Sequence, residues 1–340
     1  MRKTAGLLAA VAIAATAFIA SPAHAANPTI TAGGSSFSAG MFSTCAANYT
    51  NATVTYTSSS SGTGRTNFAN GTFDFAGTDG AYGASDSPKP TAGTYKYIPV
   101  VGGPIALIYN VAAVPALRLD SATVGKIWLG TITKWNDPAI VALNKGAKLP
   151  NAAITPVYRN TKSGTNGNFS GYLAANGATG WTKDQTWTNA TGAATPAGTG
   201  AADSTAVVTN VKSTVGAIGY VDLKDAVTAG LKVVALKNAA GQFLKPTAAA
   251  AAKFLSSQPV AADGQVNINW AKKIAGGYNA SLITYALVNT GSATGNGAAV
   301  KGFINYVLNT CVPANASKLG YVALSGGQIA KARALALLIK

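Results

Sequence analysis

Short apolar and β-branched runs recur along this chain with helix-spaced segments between them, and that alternation limits the fold more than any other feature. The strand-like runs fall at 54–56, 97–101, 105–109, 154–158, 217–221, 233–236 and 283–288. Helical spacing occupies 38–49, 65–70, 121–129, 165–175 and 302–310, and a terminal helix is expected over 328–339. Alternation of this kind predicts layered α/β structure, whereas a sandwich would show strands in unbroken succession. Thr247 before five alanines reads as a capped helix start, since alanine has the highest helix propensity. The Thr/Gly/Ala-rich stretch 187–205 reads as a long loop. No internal repeat is visible. A length of 340 residues then suggests two domains.

Composition removes whole classes of chemistry. Only 11% of residues are charged, against 48% hydrophobic, so the chain can build a sizeable core. All ten acidic residues are Asp; there is no Glu, and His24 is the single histidine. A Ser-His-Asp triad, a Cys-His dyad, a His-based zinc site and a Glu/Glu glycosidase pair all lack their parts. Arg2 and Lys3 precede an apolar run over 6–20, followed by Ser21-Pro22 and an A-x-A site at Ala23-His24-Ala25. Residues 1–25 therefore read as a signal peptide; the alternative, a membrane anchor, needs a run of ~20 apolar residues. Cleavage would leave a soluble exported chain, periplasmic or secreted, with no histidine.

Export gives the two cysteines a meaning. Cys45 shares a helical face with Phe42 and Tyr49, and Cys311 ends a second pattern through Phe303 and Val307. An even count in an oxidising compartment favours one disulfide, Cys45–Cys311, over two separately buried thiols. Two thiols without histidine make a poor metal site, and no metal is expected.

Three segments repeat one arrangement, placing glycines and hydroxyls between a strand-like run and a helix. They are 33–37 (Gly-Gly-Ser-Ser-Phe), 58–64 (Ser-Ser-Ser-Ser-Gly-Thr-Gly) and 163–167 (Ser-Gly-Thr-Asn-Gly). A helix start offers unpaired N–H groups and the positive end of its dipole, so three of them could converge on an oxyanion. Taken singly, each also reads as an ordinary N-cap. Arg159, four residues before Ser163, could aim its planar fork at the same point. Asp79 would be out of place beside an anion unless that anion carries a proton, which Asp79 would accept while repelling a fully ionised one. By spacing alone it also reads as a surface or capping Asp. No P-loop and no G-x-G-x-x-G dinucleotide motif is present, which argues against nucleotide cofactors. The 26 basic residues are scattered without a run or interleaved aromatics, so nucleic acid is not an expected partner.

At this point the chain resembles the extracytoplasmic phosphate-binding proteins that serve high-affinity phosphate ABC importers. The resemblance rests on Leu119-Asp120, on 124–130 (Val-Gly-Lys-Ile-Trp-Leu-Gly), and on 134–140 (Lys-Trp-Asn-Asp-Pro-Ala-Ile). Lys148-Leu149-Pro150 and 216–221 (Gly-Ala-Ile-Gly-Tyr-Val) extend it. It implies an α/β, two-domain periplasmic binding protein of type II-like form with its ligand cleft between the domains. Domain one would comprise 27–108 plus 283–340 and domain two 109–282. It further implies phosphate ligands at Ser36, Phe37, Ser61, Asp79, Arg159, Ser163, Gly164 and Thr165, with no cofactor and no catalysis. Inorganic phosphate and a membrane-embedded ABC permease would be the partners of a monomer. A secreted phosphatase on the same fold, or a basic surface or adhesion protein that has lost the site, are the alternatives. Three departures stand out: Thr161 where the family commonly has Asp, Lys162 where Gly is common, and a second Asp string at 83–86 that makes Asp86 a rival to Asp79.

Overall fold

The computed structural model describes residues 27–84 and 86–340; the expected signal peptide, with His24, lies outside the described residues. The strands are β1 (Thr29–Ser35), β2 (Thr53–Ser59), β3 (Phe75–Thr78), β4 (Tyr95–Tyr109), β5 (Arg118–Leu119) and β6 (Thr155–Arg159). They continue as β7 (Thr199–Ala201), β8 (Ala217–Asp222), β9 (Lys232–Val233), β10 (Ala235–Lys237), β11 (Phe243–Leu244) and β12 (Ser281–Asn289). The helices are α1 (Ala39–Ala47), α2 (Ser61–Ala69), α3 (Ser121–Trp128), α4 (Pro138–Leu143), α5 (Gly164–Ala175) and α6 (Trp187–Thr191). After them come α7 (Ser204–Ser213), α8 (Leu223–Thr228), α9 (Ala248–Leu255), α10 (Gly297–Tyr306), α11 (Val312–Asn315) and α12 (Gly326–Ala336). The expected α/β alternation is the architecture found.

Nine of the twelve strands among the described residues join one sheet in the order β2-β1-β3-β12-β4-β8-β6-β7, with β9 paired to β4 off that path, and β5, β10 and β11 form a small second sheet. The long strand β4 is the pivot. It pairs with β12 over Tyr95–Pro104, then changes partner and pairs with β8 from Ile105 to Tyr109. The runs at 97–101 and 105–109 are therefore one strand, where the sequence reading had two. Gly102-Gly103-Pro104 lies between them; such residues usually end a strand, but here they mark the change of partner. The sheet thus has a first half (β1, β2, β3, β12) and a second half (β6, β7, β8) joined through β4, as in a two-domain α/β fold.

A second correction concerns 187–205, which is not a long loop. It contains α6 and β7 and runs into α7, and its Trp187 is buried against Tyr158, Phe169 and Tyr220. A five-residue helix and a three-residue strand are too short to show periodicity, so only packing defines them. Likewise α2 begins at Ser61, ahead of the expected 65. Its first turn holds Gly62 and Gly64, poor helix formers that tertiary contact keeps in place. The Thr247 cap is as read: its side chain accepts the Ala250 N–H at 3.1 Å.

Cys45 of α1 and Cys311, in the π-turn that continues α10, form the disulfide, with Cα atoms 5.6 Å apart. It closes a separation of 266 residues, so reduction should release much unfolded-chain entropy. We expect reduction to lower unfolding stability by about 2–4 kcal/mol. Denaturant titration with and without reductant measures this, and overlapping curves would count against it.

Candidate functional site

The Asp79 carboxyl is the point on which the first half of the sheet converges. Asp79 directly follows β3 and is 4% exposed. Ser35, last residue of β1, donates its hydroxyl to both carboxyl oxygens at 2.7 Å. Thr284 of β12 donates to Oδ1 at 2.6 Å, and Ser61 at the start of α2 lies 3.4 Å from Oδ2. The Ser61 hydroxyl also accepts the Asp79 backbone N–H at 3.0 Å. Thr284 reaches this spot through a register slip in the β12–β4 ladder, which pairs Thr284 with Val101 but Tyr285 with Pro99. A bulge of this kind re-aims the side chains beside it. Close approach of β1, β3 and α2 requires glycine at Gly34. A Cβ there would meet the Gly77 carbonyl oxygen at 2.3 Å, and the φ of +124° is itself a glycine conformation. Burial pushes the Asp79 carboxyl above its ordinary range, while the Thr284 and Ser35 hydroxyls, then the Arg159 charge and Ser61, act in the opposite direction.

The second half supplies the cation. Arg159 ends β6 and is 2% exposed. Its backbone is pinned from below: the Arg159 N–H donates to the Tyr220 hydroxyl at 3.0 Å, and Tyr220 donates to Asn166 Oδ1 at 2.6 Å. Asn166 Nδ2 in turn donates to the Arg159 carbonyl at 2.8 Å. Tyr220 sits among Trp128, Phe169 and Trp187, so this aromatic packing fixes the guanidinium's base. The fork is then aimed by donation to the Ala202 carbonyl from Nε at 3.1 Å and from Nη2 at 2.8 Å. Nη2 also donates to Thr161 Oγ1 at 3.2 Å, and Thr161 donates to the same Ala202 carbonyl at 3.0 Å. Thr161 and Ala202 thus do here the restraining that the resemblance would give to an Asp. Across the cleft, Nη1 donates to Ser36 Oγ at 2.9 Å and Nη2 to the Ser59 carbonyl at 3.2 Å. Burial pulls the guanidinium down, opposed by Tyr220, Asp203 and Asp79, and it stays charged.

Helix starts surround these two groups. The α5 N-terminus meets Ser61 and Asp79 so closely that a Cβ at Gly164 would lie 2.5 Å from Ser61 Oγ and 2.7 Å from Asp79 Cβ. Ser163 and Thr165 flank Gly164 and are buried with it. Phe37 is buried; its ring packs edge-on to Tyr321, whose hydroxyl donates to the Phe37 carbonyl at 2.8 Å, anchoring the turn that carries Ser36. Of the eight expected positions, hydrogen bonds and close contacts bring Ser36 to Arg159 and bring Ser61 and Gly164 to Asp79, while Phe37, Ser163 and Thr165 are buried next to them in the chain. A cavity of about 550 Å³ is bounded by Asp79, Gly164, Asn168, Gln185 and Trp270.

Several members escaped the sequence reading. Ser204, at the start of α7, shares a 2.9 Å hydrogen bond with Ser36, and its N–H donates to Ser36 Oγ at 3.2 Å. Ser204 and Ala202 lie in the stretch read as loop. The readable signal was Asp203 ahead of Val207 and Val211, since Asp203 caps α7 by accepting the Ala206 N–H at 2.8 Å. Ser35 and Thr284 carried no local signal. Asp86 lies elsewhere in the cleft, paired with Arg65 at 3.2 Å and with Lys162. Among the described residues, no three Asp, Cys or His side chains are grouped to hold a metal ion.

Phosphate-binding protein PstS2 of Mycobacterium bovis BCG is 38% identical over 196 residues, 56% of this chain and 51% of that protein. Phosphate-binding protein PstS of Xylella fastidiosa is 34% identical over 227 residues, covering 64% of this chain and 60% of that protein. The chain thus spans about half the length of the curated relatives it matches. Among solved structures, a high affinity periplasmic phosphate-binding protein (PfluDING) bound with phosphate aligns over 90% of this chain and 93% of its own, with a TM-score of 0.72 at 22% identity. A putative phosphate ABC transporter substrate-binding protein from Clostridium perfringens aligns over 87% and 100%, with a TM-score of 0.61 at 18% identity. The model of the PBP superfamily domain matches residues 20–310, which takes in every strand of the site, and the chain belongs to that superfamily.

Proposed function

We propose that this protein captures inorganic phosphate between two units that close on it about a hinge and delivers it to the permease of an ABC importer. One observation carries the reading: a buried carboxylate, Asp79, stands in the same cleft as a buried guanidinium, Arg159, beneath converging helix starts. A fully ionised anion would be repelled by Asp79. A phosphate that keeps a proton gives that proton to an acceptor already held in place, while Arg159 and the helix N-termini take the negative oxygens. Ser36, Ser61, Ser163 and Thr165 would add hydroxyl donors, and Phe37 and Gly164 backbone N–H groups. The names of the relatives point the same way.

The expected units, 27–108 with 283–340 and 109–282, are shifted in this reading to follow β4, so that the first is 27–104 with 281–340 and the second begins at Ile105. The segment 248–270, however, attaches to the first: Leu255 would contact any Cβ at Gly102, and Gln328 donates to the Leu255 and Gln258 carbonyls at 2.8 and 3.0 Å. The protein would act as a monomeric receptor, exported after removal of 1–25. No helix among the described residues is long and apolar enough to cross a membrane. It would be a receptor without enzymatic turnover, since the sequence offers no Glu and no histidine beyond His24 to activate a nucleophile.

Calorimetric titration of protein stripped by unfolding and refolding tests the reading. Phosphate should bind tightly, arsenate should compete, and sulfate should bind far more weakly. No heat with phosphate, or equal affinity for sulfate, would overturn it. Steady release of phosphate from a chromogenic ester would favour a phosphatase.

A further inference from the structure

A second ionic cluster lies beside Asp79, tied to both of its chain neighbours, Thr78 and Gly80. Arg65 of α2 is 1% exposed, and its Nη1 donates to Thr78 Oγ1 at 3.1 Å, the Gly80 carbonyl at 3.0 Å and Gln185 Oε1 at 2.9 Å. Its Nη2 pairs with Asp86 Oδ2 at 3.2 Å, an oxygen that also accepts the Gly83 N–H at 3.0 Å. Arg65, Gly83 and Asp86 all belong to the first unit, so this pair is complete without the second. Two side chains reach it from the second unit. Gln185 also donates through Nε2 to the Ala81 carbonyl at 3.0 Å. The Lys162 ammonium pairs with Asp86 Oδ1, while the Lys162 carbonyl accepts the Gly62 N–H at 2.9 Å. Burial opposes ionisation of Asp86, yet the Lys162 hydrogen bond, the Gly83 N–H and the Arg65 charge hold it below the usual carboxylate range.

Resting on the capture reading above, we propose that Arg65 and Asp86 form a ready-made socket, and that Lys162 and Gln185 enter it on closure as a clasp that sets how long the closed state lasts. The charges suit the task. With the units apart, Arg65 and Asp86 neutralise one another and the socket keeps its shape. On closure, Lys162 meets the carboxyl oxygen that Arg65 leaves open. The Lys162 side chain is 37% exposed, so its pairing is reversible and screened by salt, as a receptor that must release its cargo requires. None of the four residues belongs to the candidate anion ligands. The clasp therefore acts on dissociation, after encounter, and leaves selectivity alone.

Lys162→Met keeps the aliphatic stem and removes the charge on a partly exposed side chain, so the fold is not at risk. In stopped-flow measurements at low salt, phosphate should dissociate about two- to fivefold faster from Lys162→Met than from wild type, a factor in keeping with a partly exposed ion pair. The difference should vanish at high salt, and Lys162→Arg should restore the wild-type rate. Loss of mere anion attraction would instead slow association with dissociation unchanged, and that result overturns the clasp. A second readout needs no ligand: hydrogen exchange at the Gly62 amide, followed by NMR, should be faster in Lys162→Met. Wild-type protein that fails to bind phosphate refutes the capture reading, and the Gly62 exchange then decides the clasp by itself. Equal exchange in the two proteins overturns it.

Discussion

Arg159→Ala should weaken binding of every oxyanion, phosphate and sulfate alike. The guanidinium is buried and supported on all sides, by Tyr220 and Asn166 beneath it and by Ala202 and Thr161 at its fork. Truncating one member of a buried, hydrogen-bonded charge pair costs about 2–5 kcal/mol of binding, or roughly thirtyfold to several thousandfold in affinity. The loss should be common to all anions because a positive charge attracts each of them. Arg159→Lys should recover only part of it, since an ammonium is a point charge and cannot make the planar two-pronged contact. Titration of folded variants, with circular dichroism as the check on structure, gives the answer. A phosphate affinity within about threefold of wild type would contradict the assignment, because even the low end of that range is roughly tenfold larger.

Asp79→Ala should act on selectivity. Phosphate should bind roughly five- to 150-fold more weakly, the equivalent of about 1–3 kcal/mol for a buried donor left without its acceptor. Sulfate should bind more tightly, for two reasons. The repelling carboxylate is gone, and the Ser35 and Thr284 hydroxyls that donate to it are released to donate to the anion instead. The phosphate-to-sulfate ratio should therefore collapse from both sides. An unchanged ratio would mean that Asp79 does not read the ligand's proton.

The pH dependence follows from the same geometry. Burial raises the Asp79 pKa, so the folded protein holds this proton more tightly than the unfolded chain does. The ionised form is the costly one. The carboxyl's contribution to native stability is most favourable below the unfolded value, where it is protonated in both states, and it declines as pH rises through the raised folded value. Protonated Asp79 no longer repels a fully ionised anion and can donate its O–H to it, so discrimination against sulfate should fade as pH is lowered. Asp79→Asn should not show that fading beyond what phosphate's own titration produces.

The chain's local patterns read correctly where the physics is local. Helices over 121–129 and 165–175 and the Thr247 cap depend on residues within one or two turns, and they appear as Ser121–Trp128, Gly164–Ala175 and Ala248–Leu255. The disulfide partners were legible because only two cysteines exist. Local signals misled where the chain serves a distant partner. Gly102-Gly103-Pro104 looks like a strand break, yet β4 runs through it because β12 hands over to β8 there. Trp187 looks like part of a loop, yet it lies beneath Arg159 in the packing that fixes Tyr220.

By itself, the sequence determined the α/β class, the helix starts rich in hydroxyls and glycine, the cysteine pair, and Arg159 and Asp79 as candidates, the latter with Asp86 as its rival. Only the tertiary structure decided which groups those two residues meet. Asp79 is 44 residues from Ser35 and 205 from Thr284, and Arg159 is 123 from Ser36. Periodicity reports which face of a helix or strand is apolar, and capping reports where a helix begins. Neither carries information about which remote strands will lie side by side. The sheet order, with β12 inserted between β3 and β4, brings Thr284 to the Asp79 carboxyl. The close fit of Gly164 against Ser61 sets the start of α5 against the same point.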